Sequence, residues 1–180
     1  NFESIKSFWP SDAPDIKNIP KYIDKYKNEL IVIKYGGNVL IDRKIFNNFI
    51  EDISVLSKLG LSIVVVHGGG PRIEKRLKKE NIESKFLNGL RVTDKEVIKI
   101  VEEVLIDFNV DIVKSLKKNG SEAVSIHTKS NNIIKVIPDD KDLGYVGVPN
   151  QIEINKIQQI LLEKKIPIVA PLGLSSDNKP

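Results

Sequence analysis

Lys34 closes the apolar run Leu30-Ile31-Val32-Ile33 and stands two residues before the pair Gly36-Gly37. An ammonium at the end of such a run is costly to hold unless it faces an anion, and its compact charge suits phosphoryl oxygens. The plain alternative is a strand-end lysine that snorkels into water. A second apolar run, Ser62 to Val66, leads through His67 into Gly68-Gly69-Gly70. Glycine turns let backbone approach a ligand closely, and a helix that starts there offers unpaired N–H groups to an anion. One such cluster alone need only make a tight turn; two after consecutive strands point to two walls of one phosphate site. Neither matches Gly-x-Gly-x-x-Gly or the Walker pattern, which sets aside a nicotinamide dehydrogenase and a P-loop enzyme. Arg91, in Asn88-Gly89-Leu90-Arg91-Val92-Thr93-Asp94, follows a glycine turn and precedes a helix start. There a guanidinium either grips a carboxylate in a fork or is an ordinary surface charge. His67 is expected to serve as a hydrogen-bonding residue, since phosphoryl transfer to an anionic nucleophile needs no base. His127 is expected to be an ordinary strand-end residue, and two histidines sixty positions apart make no metal site.

The elements that must position these groups follow from periodicity. Pro10, Pro14 and Pro20 mark a turn-rich lead-in with a short amphipathic helix over 16–26. Strands are expected at 30–34, 62–66, Ala123–Ile126 and 166–170. Helices are expected at 43–59 behind Asp42 as N-cap, at 71–79 with Pro71 in its first turn, and at 151–164. Thr93-Asp94-Lys95-Glu96 is read as a capping box with Thr93 as the cap, opening a long helix toward Gly120 with an interruption near Asn109. Residues 132–148 read as a hairpin off the main sheet. Strand, glycine turn and helix, repeated, predict a mainly parallel sheet with right-handed crossovers, and in such sheets ligands gather at the carboxyl ends of the strands.

Composition narrows the class. In 180 residues there is no cysteine, which excludes a disulfide scaffold and cysteine-held metal. Lys+Arg 28 against Asp+Glu 24 are interleaved along the chain, too weak a bias to argue for nucleic acid. No apolar run approaches the roughly 18–20 residues that span a bilayer, so no membrane and a cytoplasmic location are expected. The absence of methionine means that residue 1 is not an initiator, and the turn residues Ser175-Ser176-Asp177-Asn178 after an apolar strand suggest a missing C-terminal half.

Taken in order, IVIKYGGNVL, VVVHGGGPRIEKRL, FLNGLRVTDKEV, DLGYVGVP and IPIVAPLGL resemble the amino acid kinase superfamily and, within it, the N-acetylglutamate kinases. The likeness runs from about residue 20 to the last. Asn-Gly-Leu-Arg-Val-Thr after a triple-glycine turn argues against carbamate kinase, uridylate kinase and aspartokinase. The resemblance implies a three-layer αβα sandwich and transfer of the ATP γ-phosphoryl group to the side-chain carboxylate of N-acetyl-L-glutamate, in arginine biosynthesis, with Mg2+ on the nucleotide. It implies Lys34 as the catalytic charge, and Gly36, Gly37, Asn38 and Gly68 as phosphate or nucleotide contacts. Gly69, Gly70 and Arg91 would bind substrate, with Arg91 on the α-carboxylate and residues 132–148 as a lid. No protein-held metal is implied.

The family pattern continues past Lys179 into Asn-x-Asn-x-Asp and a nucleotide lobe. The chain is therefore expected to comprise an N-terminal extension (1–28) and the substrate lobe (29–180), inactive alone. The family's Gly-Leu-Ser-Gly-Lys-Asp reads Ser125-Ile126-His127-Thr128-Lys129-Ser130 here, which leaves Lys129 as a candidate nucleotide contact. The rival implied by these departures is the non-catalytic, arginine-sensing domain of an N-acetylglutamate synthase; the intact Lys34 and glycine turns favour the kinase. A homodimer or homohexamer with arginine as feedback inhibitor also belongs to the resemblance.

Overall fold

The computed structural model describes residues 2–36 and 42–180. Four strands, β1 (Leu30–Tyr35), β2 (Ser62–His67), β5 (Ala123–Ile126) and β8 (Ile166–Val169), form one sheet in the order β1-β2-β8-β5. Every pairing in it is parallel. The run Ile-Val-Val-Val of β2 is buried on both faces, as a central strand between helical layers requires.

Helix α3 (Arg43–Lys58) is capped by Asp42, whose carboxylate accepts from the Lys44 and Ile45 N–H groups. Its apolar stripe packs with α5 (Lys95–Lys118) on one sheet face, around Phe46, Ile50, Phe108, Ile112, Val65 and Ile168. Helix α6 (Ile154–Leu162) covers the other face through Ile157, Ile160 and Leu161 against Val64, Ile126 and Val169. A third cluster joins α4 (Gly70–Lys79) to α5 through Ile73, Leu77, Val97 and Leu105. These layers are the αβα sandwich expected from the sequence. The lead-in holds α1 (Phe2–Lys6), which periodicity did not foretell, a 3-10 turn Ile16–Asn18 and α2 (Ile19–Tyr26) with Pro20 in its first turn.

Three local expectations are corrected. The cap of α5 is Asp94, not Thr93: the Asp94 carboxylate accepts from Glu96 and Val97 N–H, both at 2.9 Å. The Thr93 hydroxyl donates instead to the Arg91 carbonyl at 2.9 Å. Helix α5 runs unbroken through Asn109, because that side chain bonds outward across the core rather than competing for its own backbone. The hairpin is longer than read: β6 (Ile134–Pro138) pairs antiparallel with β7 (Gly147–Ile152), which claims residues assigned to the following helix. A two-residue hairpin of β3 (Phe86–Leu87) and β4 (Leu90–Arg91) was also not foreseen, being too short to carry a period.

Replacing Asp94 by Ala should lower stability by about 1 kcal/mol. Urea denaturation measures this; an unchanged midpoint would return the capping role to Thr93.

Candidate functional site

Register places the first group of candidates. Lys34 pairs with Val66 and Tyr35 with His67, so β1 and β2 end level. The Gly68 N–H then donates to the Tyr35 carbonyl at 2.8 Å, which carries the ladder one step past the strand ends. Gly36 and Gly68 thus leave the sheet side by side at its carboxyl edge. Lys34 is exposed and occupies the strand face opposite buried Tyr35. A Cβ placed on Gly36 would come within 3.9 Å of Lys34 Cε, so the lysine arm lies along its own glycine turn. Gly37 and Asn38 lie outside the described residues.

Gly69 is the residue before α4 and its carbonyl accepts the Ile73 N–H at 2.9 Å. A Cβ there would collide with Leu105 of α5, so only glycine allows the turn to sit this close to the helix. Gly70 differs: a Cβ on it would meet nothing within 4 Å, so its surface is open.

The second group surrounds Arg91. Its guanidinium is paired with Glu74 Oε2 at 3.0 Å, hydrogen-bonds the Ser84 hydroxyl, and lies 4.7 Å from the centre of the Phe86 ring. The Ser84 hydroxyl also donates to Glu74 at 2.7 Å. These two donors hold the Glu74 carboxyl below the usual carboxylate range, the Ser84 bond foremost. Arg91 lines a cavity of about 900 Å3, with Ile73 and Thr93 on one side and Val136, Tyr145 and Leu172 among the other walls.

The hairpin over this cavity is stitched at two places. Thr93 N–H donates to the Leu143 carbonyl at 2.8 Å and Tyr145 N–H to the Thr93 carbonyl at 2.7 Å. At the other end, Val136 N–H reaches the Leu174 carbonyl and Leu174 N–H the Ile134 carbonyl, both at 3.0 Å. Between the first pair lies Gly144 at φ +72°, where a Cβ would strike the Thr93 carbonyl. Backbone bonds therefore tie the roof of the cavity to the strand that carries Arg91.

Among the described residues, Lys34, Gly36, Gly68, Gly69 and Gly70 are not part of the cavity lining; the two groups are joined through α4. Its first residues are the glycine turn, Ile73 lines the cavity, and Glu74 holds Arg91. Glu74, Ser84 and Phe86 escaped sequence reasoning because nothing local marks them. Lys129 is ion-paired with Glu102 at 3.2 Å, and Glu102 also accepts from Thr128 at 2.5 Å. His127 is buried, and its Nδ1 accepts the Lys129 N–H at 3.2 Å.

His67 is 1% exposed, edge-on to Phe108 with ring centres 5.1 Å apart. Burial pushes its pKa down to about 4, with the positive charges of Arg72 and His127 acting in the same direction. A neutral, enclosed imidazole agrees with the hydrogen-bonding role expected of it.

Comparison with known proteins gives the chain its relatives. The pattern of the amino acid kinase family matches residues 29–180. The acetylglutamate kinase of Pelagibacter ubique is 49% identical over 177 residues, covering 98% of this chain and 62% of its own length. That of Campylobacter fetus is 40% identical over 158 residues, covering 87% of this chain and 56% of its own. The chain thus spans about three-fifths of the curated relatives it matches. Among solved structures, smu.665 of Streptococcus mutans superposes with a TM-score of 0.75 at 31% identity, over 83% of this chain and 61% of that one. N-acetylglutamate synthase of Neisseria gonorrhoeae, complexed with coenzyme A and N-acetyl-glutamate, gives 0.77 at 22% identity over 91% and 38%, a likeness of fold.

The His67 environment sets a pH dependence. The unfolded chain binds a proton near pH 6.5 while the folded one resists until about 4. Stability from this residue is therefore full above pH 6.5 and lost as pH falls toward 4, by roughly 3 kcal/mol in all. Urea denaturation of the wild type and of His67→Gln across pH 7.5 to 4 measures it, and parallel profiles would contradict the assignment.

Proposed function

Because the chain belongs to the amino acid kinase family, we propose that residues 29–180 form the substrate lobe of an acetylglutamate kinase. The reaction is attack of an ionised side-chain carboxylate oxygen of N-acetyl-L-glutamate on the γ-phosphorus of ATP. A new P–O bond forms, the bond to the β-phosphate oxygen breaks, and an acyl phosphate and ADP leave. The nucleophile is already an anion, so the protein's tasks are positioning and charge neutralisation. The observation that carries this reading is the juxtaposition of Lys34 with both glycine turns at one level of the sheet edge.

In this reading the Lys34 ammonium neutralises charge on the phosphoryl group in transit. Gly36 and Gly68 are the described parts of its cradle, with Gly37 and Asn38 assigned alongside by the family pattern. Gly69 and Gly70 present backbone to the acid, and Arg91, facing a cavity roofed by the hairpin, takes its α-carboxylate. The Glu74 carboxylate beside Arg91 keeps the guanidinium in place before substrate arrives; the incoming carboxylate then shares it. The apolar walls, Ile73, Val136 and Leu172 among them, suit the acetyl and methylene groups. Magnesium belongs on the nucleotide in this assignment, as the family resemblance implies. The bound ion would supply further neutralisation of phosphate charge. Assembly as a homodimer or homohexamer, feedback by arginine and a cytoplasmic location are part of the same proposal. Among the described residues no helix is long and apolar enough to cross a membrane.

Arg91→Lys should weaken binding of N-acetyl-L-glutamate about tenfold or more, because a single ammonium cannot reproduce the fork. Calorimetric titration tests this, and unchanged affinity would make Arg91 purely structural. In the intact kinase, Lys34→Arg should lower kcat by about 10²-fold or more with little change in melting temperature. Hydroxamate capture of the acyl phosphate reads the rate, and a rate equal to wild type would remove Lys34 from the chemistry.

A further inference from the structure

Asn109 sits in the middle of α5, 0% exposed, where an apolar residue would pack at less cost. Its Nδ2 donates to the Ile168 carbonyl of β8 at 2.9 Å and lies 3.1 Å from His67 Nε2. Its Oδ1 is buried with no hydrogen-bond partner among the described residues. An orphaned buried carbonyl of this kind is destabilising, so stability alone does not account for the residue.

The bonds admit one orientation throughout. A backbone carbonyl only accepts, so the Ile168 oxygen requires the amide nitrogen on its side. That nitrogen's second hydrogen reaches His67 Nε2, which must then be a bare acceptor and leaves the ring proton on Nδ1. On the far side of the ring, Nδ1 faces the Gly68 carbonyl at 2.9 Å, an oxygen that can only accept. Turning the amide over would set Oδ1 against the Ile168 oxygen. The chain of bonds thus runs from a central strand, through Asn109 and the neutral ring, to the peptide between Gly68 and Gly69. The described residues contain no cis peptide bond. In a trans peptide the C=O and N–H point to opposite sides, so a Gly68 carbonyl drawn inward to His67 turns the Gly69 N–H away from the buried ring.

We propose that Asn109 is a positioning residue for the anion site: by fixing the proton of His67 on Nδ1, it holds the Gly68 carbonyl inward and the Gly69 N–H outward toward the substrate. The outward half of this statement rests on the function proposed above; the chain of bonds does not. The donor is thereby set before the reaction, which is where preorganised N–H groups gain their effect on developing charge.

The test begins with nitrogen NMR of the chain labelled at its two histidines, His67 and His127. At neutral pH His67 should show a protonated Nδ1 and a bare Nε2; the opposite tautomer overturns the proposal, whatever any variant does. Asn109→Asp replaces the donor by an acceptor that requires a proton on Nε2. In that variant Nδ1 should lose its proton, and the Gly69 amide, no longer held outward and free to donate to the bare Nδ1, should exchange about tenfold slower or more. Retention of the proton on Nδ1, or unchanged Gly69 exchange, overturns it equally. In a His67→Asn background, whose amide keeps a donor near the place of Nδ1, Asn109→Asp should no longer alter Gly69 exchange; an effect of the same size would mean a merely structural role. In the intact kinase, Asn109→Asp should lower kcat about tenfold or more while the KM for the acid stays within about twofold. A normal kcat beside the expected NMR result removes Gly69 from the proposed chemistry and leaves the tautomer assignment standing.

Discussion

The hydrogen bond from the Gly68 N–H to the Tyr35 carbonyl is the contact on which the rest of the candidate site depends. It extends a parallel ladder whose six register pairs already hold β1 and β2 level, and it does so where the chain stops being a strand. Two turns that leave a sheet at one height share whatever approaches that edge. The lysine arm along Gly36, the start of α4 and the inward Gly68 carbonyl all take their positions from this junction. Glycine is needed there for a reason specific to the packing: at Gly69 the turn lies against Leu105 with no space for a side chain.

Helix α4 converts that edge into a longer device. Ten residues carry the glycine turn at one end, Ile73 in the cavity wall, and Glu74 on the Arg91 guanidinium. Because Ile73 and Leu77 pack on α5 through a buried cluster, the distance between the glycine turn and Arg91 is set by a core rather than by loops. The hairpin above Arg91 is likewise held by main-chain bonds at Thr93 and Leu174, so the roof of the cavity is fastened by the chain's own backbone. The exposed ion pairs elsewhere, such as Lys27 with Asp24, contribute little to this order.

Several elements were legible because their signal is local. The β-branched runs of β2 and β8 are buried on both faces, and Asp42 caps the stripe of α3 as its position suggests. The errors have a common origin. Thr93 carries the right side chain for a cap, but its backbone is engaged by the Leu143 carbonyl and by the Tyr145 N–H, fifty residues away. Asn109 looks like a helix breaker until the bonds to His67 and Ile168 are seen, since they direct its amide outward. Ile152 could open a helix by periodicity, yet it pairs with Ile134 across the hairpin.

The order of residue types along the chain was enough to determine the alternation of strand, glycine turn and helix and the family to which it points, and to single out Lys34 and Arg91 as candidate anion-binding charges. These rest on short-range patterns that any fold must respect. Only the tertiary structure decided what those charges meet: that Arg91 is shared with Glu74 and Ser84, that Lys34 lies along Gly36, and that a buried amide orients a histidine beneath the glycine turn. The contacts of Arg91 and Asn109 join residues seven to fifty-nine positions apart, and a hydrogen bond across the core leaves no trace in either partner's neighbours along the chain.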